Sequence, residues 1–203
     1  MSARWVVVAA TLVVALLASC TGSPTQPTTS PTAVASTPTY VCTPPAGGPA
    51  TPYACDKTTY EEQQAQLALE AEALEVYDRY AKEYWRLIFA GGAEAPTPEL
   101  DATIADPFRK NIVALLAHQK SSGNLAKGEP ATFRAAIDRT TRREDALVVL
   151  TTCEDSRGGA MYGPDGSLIG PGQLVVATRA LKRQDGKLRI FSNIDKVQAQ
   201  CPF

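Results

Sequence analysis

Histidine is almost missing from this chain. His118 is the only one among 203 residues, which excludes any catalytic dyad built from two imidazoles. A single histidine and the absence of CxxC spacing also leave no usual zinc ligand set, so neither a metal nor a cofactor is expected. Excess positive charge is missing as well: 20 Lys and Arg stand against 21 Asp and Glu, a balance that argues against a nucleic-acid partner. Arg134, Arg139, Arg142 and Arg143 do cluster, yet Glu144 and Asp145 lie beside them and the group reads as a charged, solvated strand edge. No phosphate-binding glycine loop occurs, since Gly158-Gly159 and Gly163-Pro164-Asp165-Gly166 have turn chemistry. Internal repeats are absent. The longest apolar run, Trp5 to Leu17, is shorter than the ~20 residues a permanent membrane span needs.

That short run has another use. Arg4, the Val, Ala and Leu-rich segment to Leu17, and the small residues Ala18 and Ser19 have the layout of a secretory signal. Leu17-Ala18-Ser19-Cys20 resembles the bacterial lipobox. The resemblance implies cleavage after residue 19 and a diacylglyceryl-modified, palmitate-bearing Cys20; an ordinary signal peptide near a cysteine is the alternative. Two acyl chains anchor stably where one anchors marginally, so a cell-membrane lipoprotein on the outer, extracytoplasmic face is expected. Residues 20–41 are then a Pro, Thr and Ser-rich tether, too poor in large apolar side chains to offset its own ordering entropy.

Four cysteines remain: Cys42, Cys55, Cys153 and Cys201. In an exported chain an even number points to two disulfides, although four cysteines allow three pairings. Residues 42–57 form a Pro and Gly-rich loop that cannot hold its shape by packing, which favours Cys42 with Cys55. Elimination leaves Cys153 with Cys201, and a thiol nucleophile at Cys153 is not expected.

The folded part is expected over 58–203. Thr58 and Thr59 each have a Glu three residues on, at Glu61 and Glu62, the capping-box spacing for a helix start. Leu67, Ala71, Leu74, Tyr77, Ala81, Tyr84, Trp85 and Ile88 then recur at helical spacing, and Gly91-Gly92 stops the run after about thirty residues. Glu75 with Arg79, and Asp78 with Lys82, are i,i+4 pairs on its flanks. Two shorter helices follow from Thr97-Pro98-Glu99 and from Asp106-Pro107, the second ending near Gly123. The period then changes. Four strands are expected at Ala131–Thr141, Ala146–Thr152, Gln173–Lys182 and Lys187–Val197, the last two joined at Asp185-Gly186, with residues 156–172 as a surface excursion. Helices followed by strands indicate an α+β domain: a long helix and two short ones packed on an antiparallel four-stranded sheet.

TPTYVCTPPAGGPATPYAC before the long helix, VYDRYAKEYWRLIFAGG within it, LTTCEDS on a strand and RALKRQDGKLRIFSN before the last cysteine resemble a group of actinobacterial secreted lipoproteins with a nuclear-transport-factor-2-like (cystatin-like) domain. The resemblance covers residues 40–203 and departs at Leu188, where a typical member has Trp. It implies a cone, with the sheet curved about the long helix and a pocket at its open end. Pockets of this fold serve unrelated purposes, so side chains must decide the function.

Isomerase or dehydratase chemistry in a cone needs a carboxylate or His base facing an apolar cavity, with an acid such as Tyr opposite. His118 lies near a helix end beside Gln119 and Lys120, where a solvated position explains it. Tyr77, Tyr84, Trp85 and Asp138 are the candidate pocket residues; the plainer account packs the tyrosines against the sheet and leaves Asp138 on the wet face. Glu154-Asp155 reads as a solvated acidic pair at a strand end. No catalytic residue is therefore named. The expected function is a non-enzymatic envelope module, held at the membrane by its lipid and binding an envelope protein or a small apolar ligand. The alternatives are a cone-pocket enzyme acting on an extracytoplasmic small molecule, or an accessory part of a secretion or conjugation apparatus.

Overall fold

A computed structural model describes residues 39–44 and 51–203. The expected signal peptide, Cys20 and most of the expected tether lie outside them. Thr39–Phe203 forms one compact unit, of α+β class with three helices and antiparallel sheets. Among the described residues no helix is long and apolar enough to cross a membrane.

The unit opens with a small antiparallel hairpin, β1 (Tyr40–Cys42) and β2 (Tyr53–Cys55), in which Cys42 faces Tyr53. The Cys42–Cys55 disulfide closes it, with Cα atoms 5.9 Å apart. Gln63 fastens the hairpin to the next helix: its amide accepts from Thr43 N at 2.8 Å and donates to Thr43 O at 2.5 Å. Tyr40 packs on Tyr60 at 5.2 Å between ring centroids.

Helix α1 spans Lys57–Phe89. Its N-cap is Asp56, upstream of the expected Thr58 or Thr59. The Asp56 carboxylate accepts from both the amide and the hydroxyl of Thr59 at 2.9 Å, and an anion there also complements the helix dipole, so it outcompetes a threonine cap. The buried stripe runs through Ala73, Val76, Tyr77, Tyr80, Ala81 and Ile88. The first turns depart from expectation. Leu67 is 44% exposed and Ala71 is exposed, because the core covers the helix only from about Glu70 onward. Of the two expected i,i+4 pairs, Lys82–Asp78 forms at 2.6 Å, whereas Arg79 turns instead to Glu99. Beyond the Ala90 C-cap the chain turns away through Gly91 at φ +83° and Gly92 at φ +84°, and a Cβ on Gly92 would lie 2.3 Å from Leu116 O. Only glycine permits that approach.

Helix α2 (Pro98–Thr103) starts as its Thr-Pro signal predicts, with the Thr97 hydroxyl accepting from Leu100 N at 3.2 Å. Helix α3 (Phe108–Ser122) is fifteen residues long, more than a short helix, and Pro107 rather than Asp106 stands at its N-cap, after a cis Asp106–Pro107 bond. The described residues hold nine strands, more than the four expected. β4 (Thr132–Ile137), β5 (Val148–Asp155), β8 (Leu174–Gln184) and β9 (Lys187–Val197) form an antiparallel sheet in the order β4-β5-β8-β9. Residues 156–172, expected as an excursion, instead supply β6 (Gly159–Tyr162) and β7 (Leu168–Pro171), which pair with β3 (Leu125–Gly128) in a second sheet. Those strands are four residues long with a glycine in each, and β3 meets a partner far along the chain, Leu125 opposite Tyr162 and Gly128 opposite Gly159, so no local period announces them.

The β8–β9 turn has Asp185 at φ 52° and Gly186 at φ 75°, the two positive values a tight hairpin demands. A bulge follows: Leu181 faces Ile190 while Ala180 faces Ser192, which leaves Phe191 unopposed. Leu188 is buried in the core with Tyr77, Tyr80, Ile104, Leu150 and Ile190. Inward residues of β5 alternate with outward ones, so Cys153 lies on the face away from the helices. There the Cys153–Cys201 disulfide, 5.8 Å between Cα atoms, straps the C-terminus.

Candidate functional site

One buried charge pair dominates the inward face. Glu154 near the end of β5 and Arg179 in the middle of β8 form an ion pair with side chains only 8% and 5% exposed. Arg179 Nε also donates to Thr152 Oγ1 at 3.3 Å. Its guanidinium lies over the rings of Tyr80 at 4.8 Å, Phe108 at 5.5 Å and Tyr77 at 5.6 Å, so aromatic faces take the place of water. Burial disfavours the Arg179 charge, yet the Glu154 carboxylate beside it outweighs that and keeps the group cationic above its ordinary range. Glu154 accepts two further hydrogen bonds from α1: Tyr77 Oη donates to Oε1 and Trp85 Nε1 to Oε2, both at 3.2 Å.

The tyrosines around the pair resist ionisation. Burial, then the Glu154 charge, pushes Tyr77 far above its usual value. Burial does the same to Tyr80, and Tyr84 is pushed up to about 12 by burial and then Glu154. Each is therefore a poor proton donor at neutral pH.

Above the pair opens a cavity of about 440 Å³, walled by Tyr84 and Trp85 of α1, Phe108 and Ile112 of α3, and Arg179 and Asn193 of the sheet. A neighbouring, more apolar cavity of about 390 Å³ lies between Trp85, Ile88, His118, Gln119 and Met161. Both share Tyr84, Trp85, Leu115, Ser156, Gln173 and Val175 as walls. Gln119 is buried in the second; its amide donates to Ile88 O at 2.7 Å, and its Oε1 has no partner.

Of the residues singled out in the sequence, Tyr84 and Trp85 line both cavities, and Tyr77 lies beneath the first through Glu154. Asp138 is elsewhere. It follows the last residue of β4, borders a separate depression with Arg139 and Arg142, and accepts from the amides of Thr140 and Thr141 at 2.9 Å. Partial burial would raise its pKa, but those threonine bonds override it and hold Asp138 well below the usual carboxylate range. Arg139, expected on a solvated edge, turns to the buried Glu70 of α1 at 2.5 Å. His118 is exposed, as expected, and stands at the border of the second cavity.

Glu154 corrects the reading of Glu154-Asp155 as solvated turn chemistry. Asp155 is the solvated half, pairing with Arg157 at 2.7 Å, while Glu154 points inward. Arg179 carries a signal that went unused: it occupies the inward register of a strand between Ala177 and Leu181, where an apolar residue belongs. Cations at such positions require a partner.

Comparison with protein-family models, with curated proteins and with solved structures finds no match to this chain. The chemistry of the cavity thus rests on its own side chains.

Proposed function

We propose that this chain is a cell-envelope lipoprotein, anchored through Cys20, whose Thr39–Phe203 unit is a nuclear-transport-factor-2-like cone that binds rather than reacts. The anchoring half of the reading is supported by the signal layout and the Leu17-Ala18-Ser19-Cys20 sequence, and by two disulfides, which suit an oxidising compartment. The cone is supported by a long α1 packed against the four-stranded sheet, with cavities between α1, α3 and that sheet.

The observation that carries the binding half is the state of Glu154. A general base must keep a lone pair free for its substrate. Glu154 is already committed to Arg179, Tyr77 and Trp85, which take three of a carboxylate's about four lone-pair sites and fix it in place, and the tyrosines that would act as acids are shifted away from neutrality. Asp138 is remote from the cavity, and the exposed Asp195 accepts from Asn193 at 3.3 Å. The cavity floor is a fixed, charge-compensated platform under aromatic walls, an arrangement suited to recognition.

Native mass spectrometry of the full chain purified from membranes, with lipid extraction, tests this. A small molecule that co-purifies stoichiometrically is the expected result. An empty protein that gains no ligand from an envelope extract refutes the small-ligand reading. For the anchor, Cys20→Ala should release the protein from membranes and abolish labelling by a fatty-acid probe; a variant that still sediments with membranes refutes lipid anchoring.

A further inference from the structure

Arg179 and Asn193 are direct cross-strand partners in the β8–β9 ladder, and both form part of the wall of the larger cavity. Each carries one buried polar atom with no hydrogen-bond partner: Nη1 of Arg179, a donor, and Oδ1 of Asn193, an acceptor. Arg179 is 4% exposed. An unpaired buried group has already lost its water, so a molecule that pairs with it gains more than the same bond would give at the surface. One orphan donor beside one orphan acceptor is a specific request. A carboxylate offers two acceptors, an ammonium only donors, and a hydrocarbon neither.

Charge narrows the choice further. Glu154 already compensates Arg179, and Asp195 shares the cavity wall, so an added anion meets two carboxylates and one committed cation. The ring faces of Tyr77, Tyr80 and Phe108, which would otherwise cage a cationic ligand, already hold the guanidinium. The remaining walls, Tyr84, Trp85 and Phe191, favour a flat apolar body.

We infer, building on the binding reading above, that the cavity takes a neutral molecule with a flat apolar body and a carbonyl beside an N–H, the edge of a carboxamide or lactam. Both atoms are closed to solvent in the free protein, so binding requires the Asn193 side chain to turn; the carbonyl then accepts from Arg179 Nη1 and the N–H donates to Asn193 Oδ1. Asn193 is the movable member of the pair, half-buried and held by one 3.3 Å bond to Asp195. A cavity of about 440 Å³ accommodates a bicyclic body with room to spare.

Four probes with one body test the inference by calorimetry on the full chain: naphthalene carboxamide, naphthoate, naphthylmethylammonium and methylnaphthalene. The carboxamide should bind tightest. Asn193→Ala should weaken it about threefold to tenfold and leave methylnaphthalene unchanged. Asn193→Asp, which keeps an acceptor oxygen, should retain more carboxamide binding than Asn193→Ala. Tighter binding of the naphthoate or the ammonium overturns the inference, as does an Asn193→Ala variant that weakens carboxamide and methylnaphthalene alike; in both cases the binding reading stands. Failure of all four probes to bind overturns the inference alone; the small-ligand reading stands or falls on the co-purification result.

Discussion

Cutting the Glu154–Arg179 pair from either side should be among the most damaging changes available to this domain. The two side chains are 8% and 5% exposed, so neither charge left alone can recover its hydration. Removing one partner of a buried pair typically costs about 3–5 kcal/mol, most of it the penalty of the stranded charge. Glu154→Gln keeps an oxygen for only one of Tyr77 and Trp85, which bond different carboxylate oxygens, and strands the guanidinium among Tyr77, Tyr80 and Phe108. Arg179→Met removes the cation and strands the carboxylate, which keeps the Tyr77 and Trp85 donors at 3.2 Å and so should suffer somewhat less. The double variant has no charge left to strand, and its loss should fall short of the summed single losses by about 1–3 kcal/mol. Urea unfolding with both disulfides oxidised measures this. With a slope of about 1–3 kcal/mol per molar urea, each single variant should shift its midpoint by at least about 1 M. Single losses below about 1 kcal/mol, or strictly additive losses in the double variant, would refute the assignment of this pair as a desolvated, mutually dependent unit.

Other perturbations separate local causes. Gly92→Ala places a Cβ 2.3 Å from Leu116 O at φ +84°, whereas Gly166→Ala at φ +82° meets nothing within 4 Å; thermal melts should show a loss of about 1 kcal/mol for the second and clearly more for the first. The two disulfides close loops of 13 and 48 residues, so the paired serine variants at Cys42/Cys55 and Cys153/Cys201 should cost about 3 and 4 kcal/mol in denaturant titrations, and a reversed order would contradict the chain-entropy account. Asp155 is held down to about 2, first by the Arg157 side chain and then by its amide, and Asp56 is lowered first by the Thr59 amide. Their folded-state values lie below the unfolded value of about 3.9, so the unfolded chain binds more protons. The stability they supply is complete above pH ~4 and is lost as pH falls toward 2. Melting temperatures that hold constant from pH 5 to about 2 would contradict this.

Features that depend on near neighbours in the chain were readable from the sequence. The long α1 follows from apolar spacing and a Gly-Gly stop, the β8–β9 hairpin from Asp185-Gly186, and the first disulfide from a stiff loop bounded by Cys42 and Cys55. What escaped needs partners far apart. Asp56 wins the N-cap through geometry that Thr58 and Thr59 share on paper, and β3 and β6 become strands only because each finds the other. Glu154 and Arg179 sit 25 positions apart, and their meeting depends on the inward register of two strands. A strand-end Glu looks solvated until the Arg on the adjacent strand is known to share its face. The candidate pocket was half legible: Tyr84 and Trp85 come from the helix periodicity, while Asn193 depends on a bulge that no residue type announces.

That bulge gives the cavity an unusual kind of address. Up to Ile190 the even-numbered residues of β9 face the core, and past Phe191 the odd-numbered ones take over, so Asn193 and Asp195 border the cavity while Ile194 is left 44% exposed. Were the ladder regular, with Phe191 opposite Ala180, the same order of side chains would present Ile194 inward and turn Asn193 away. The polarity of this wall is therefore a matter of parity more than of composition. A relative could keep every side chain of the strand and, by pairing Phe191 into a regular ladder, inherit a greasy cavity in place of a polar one.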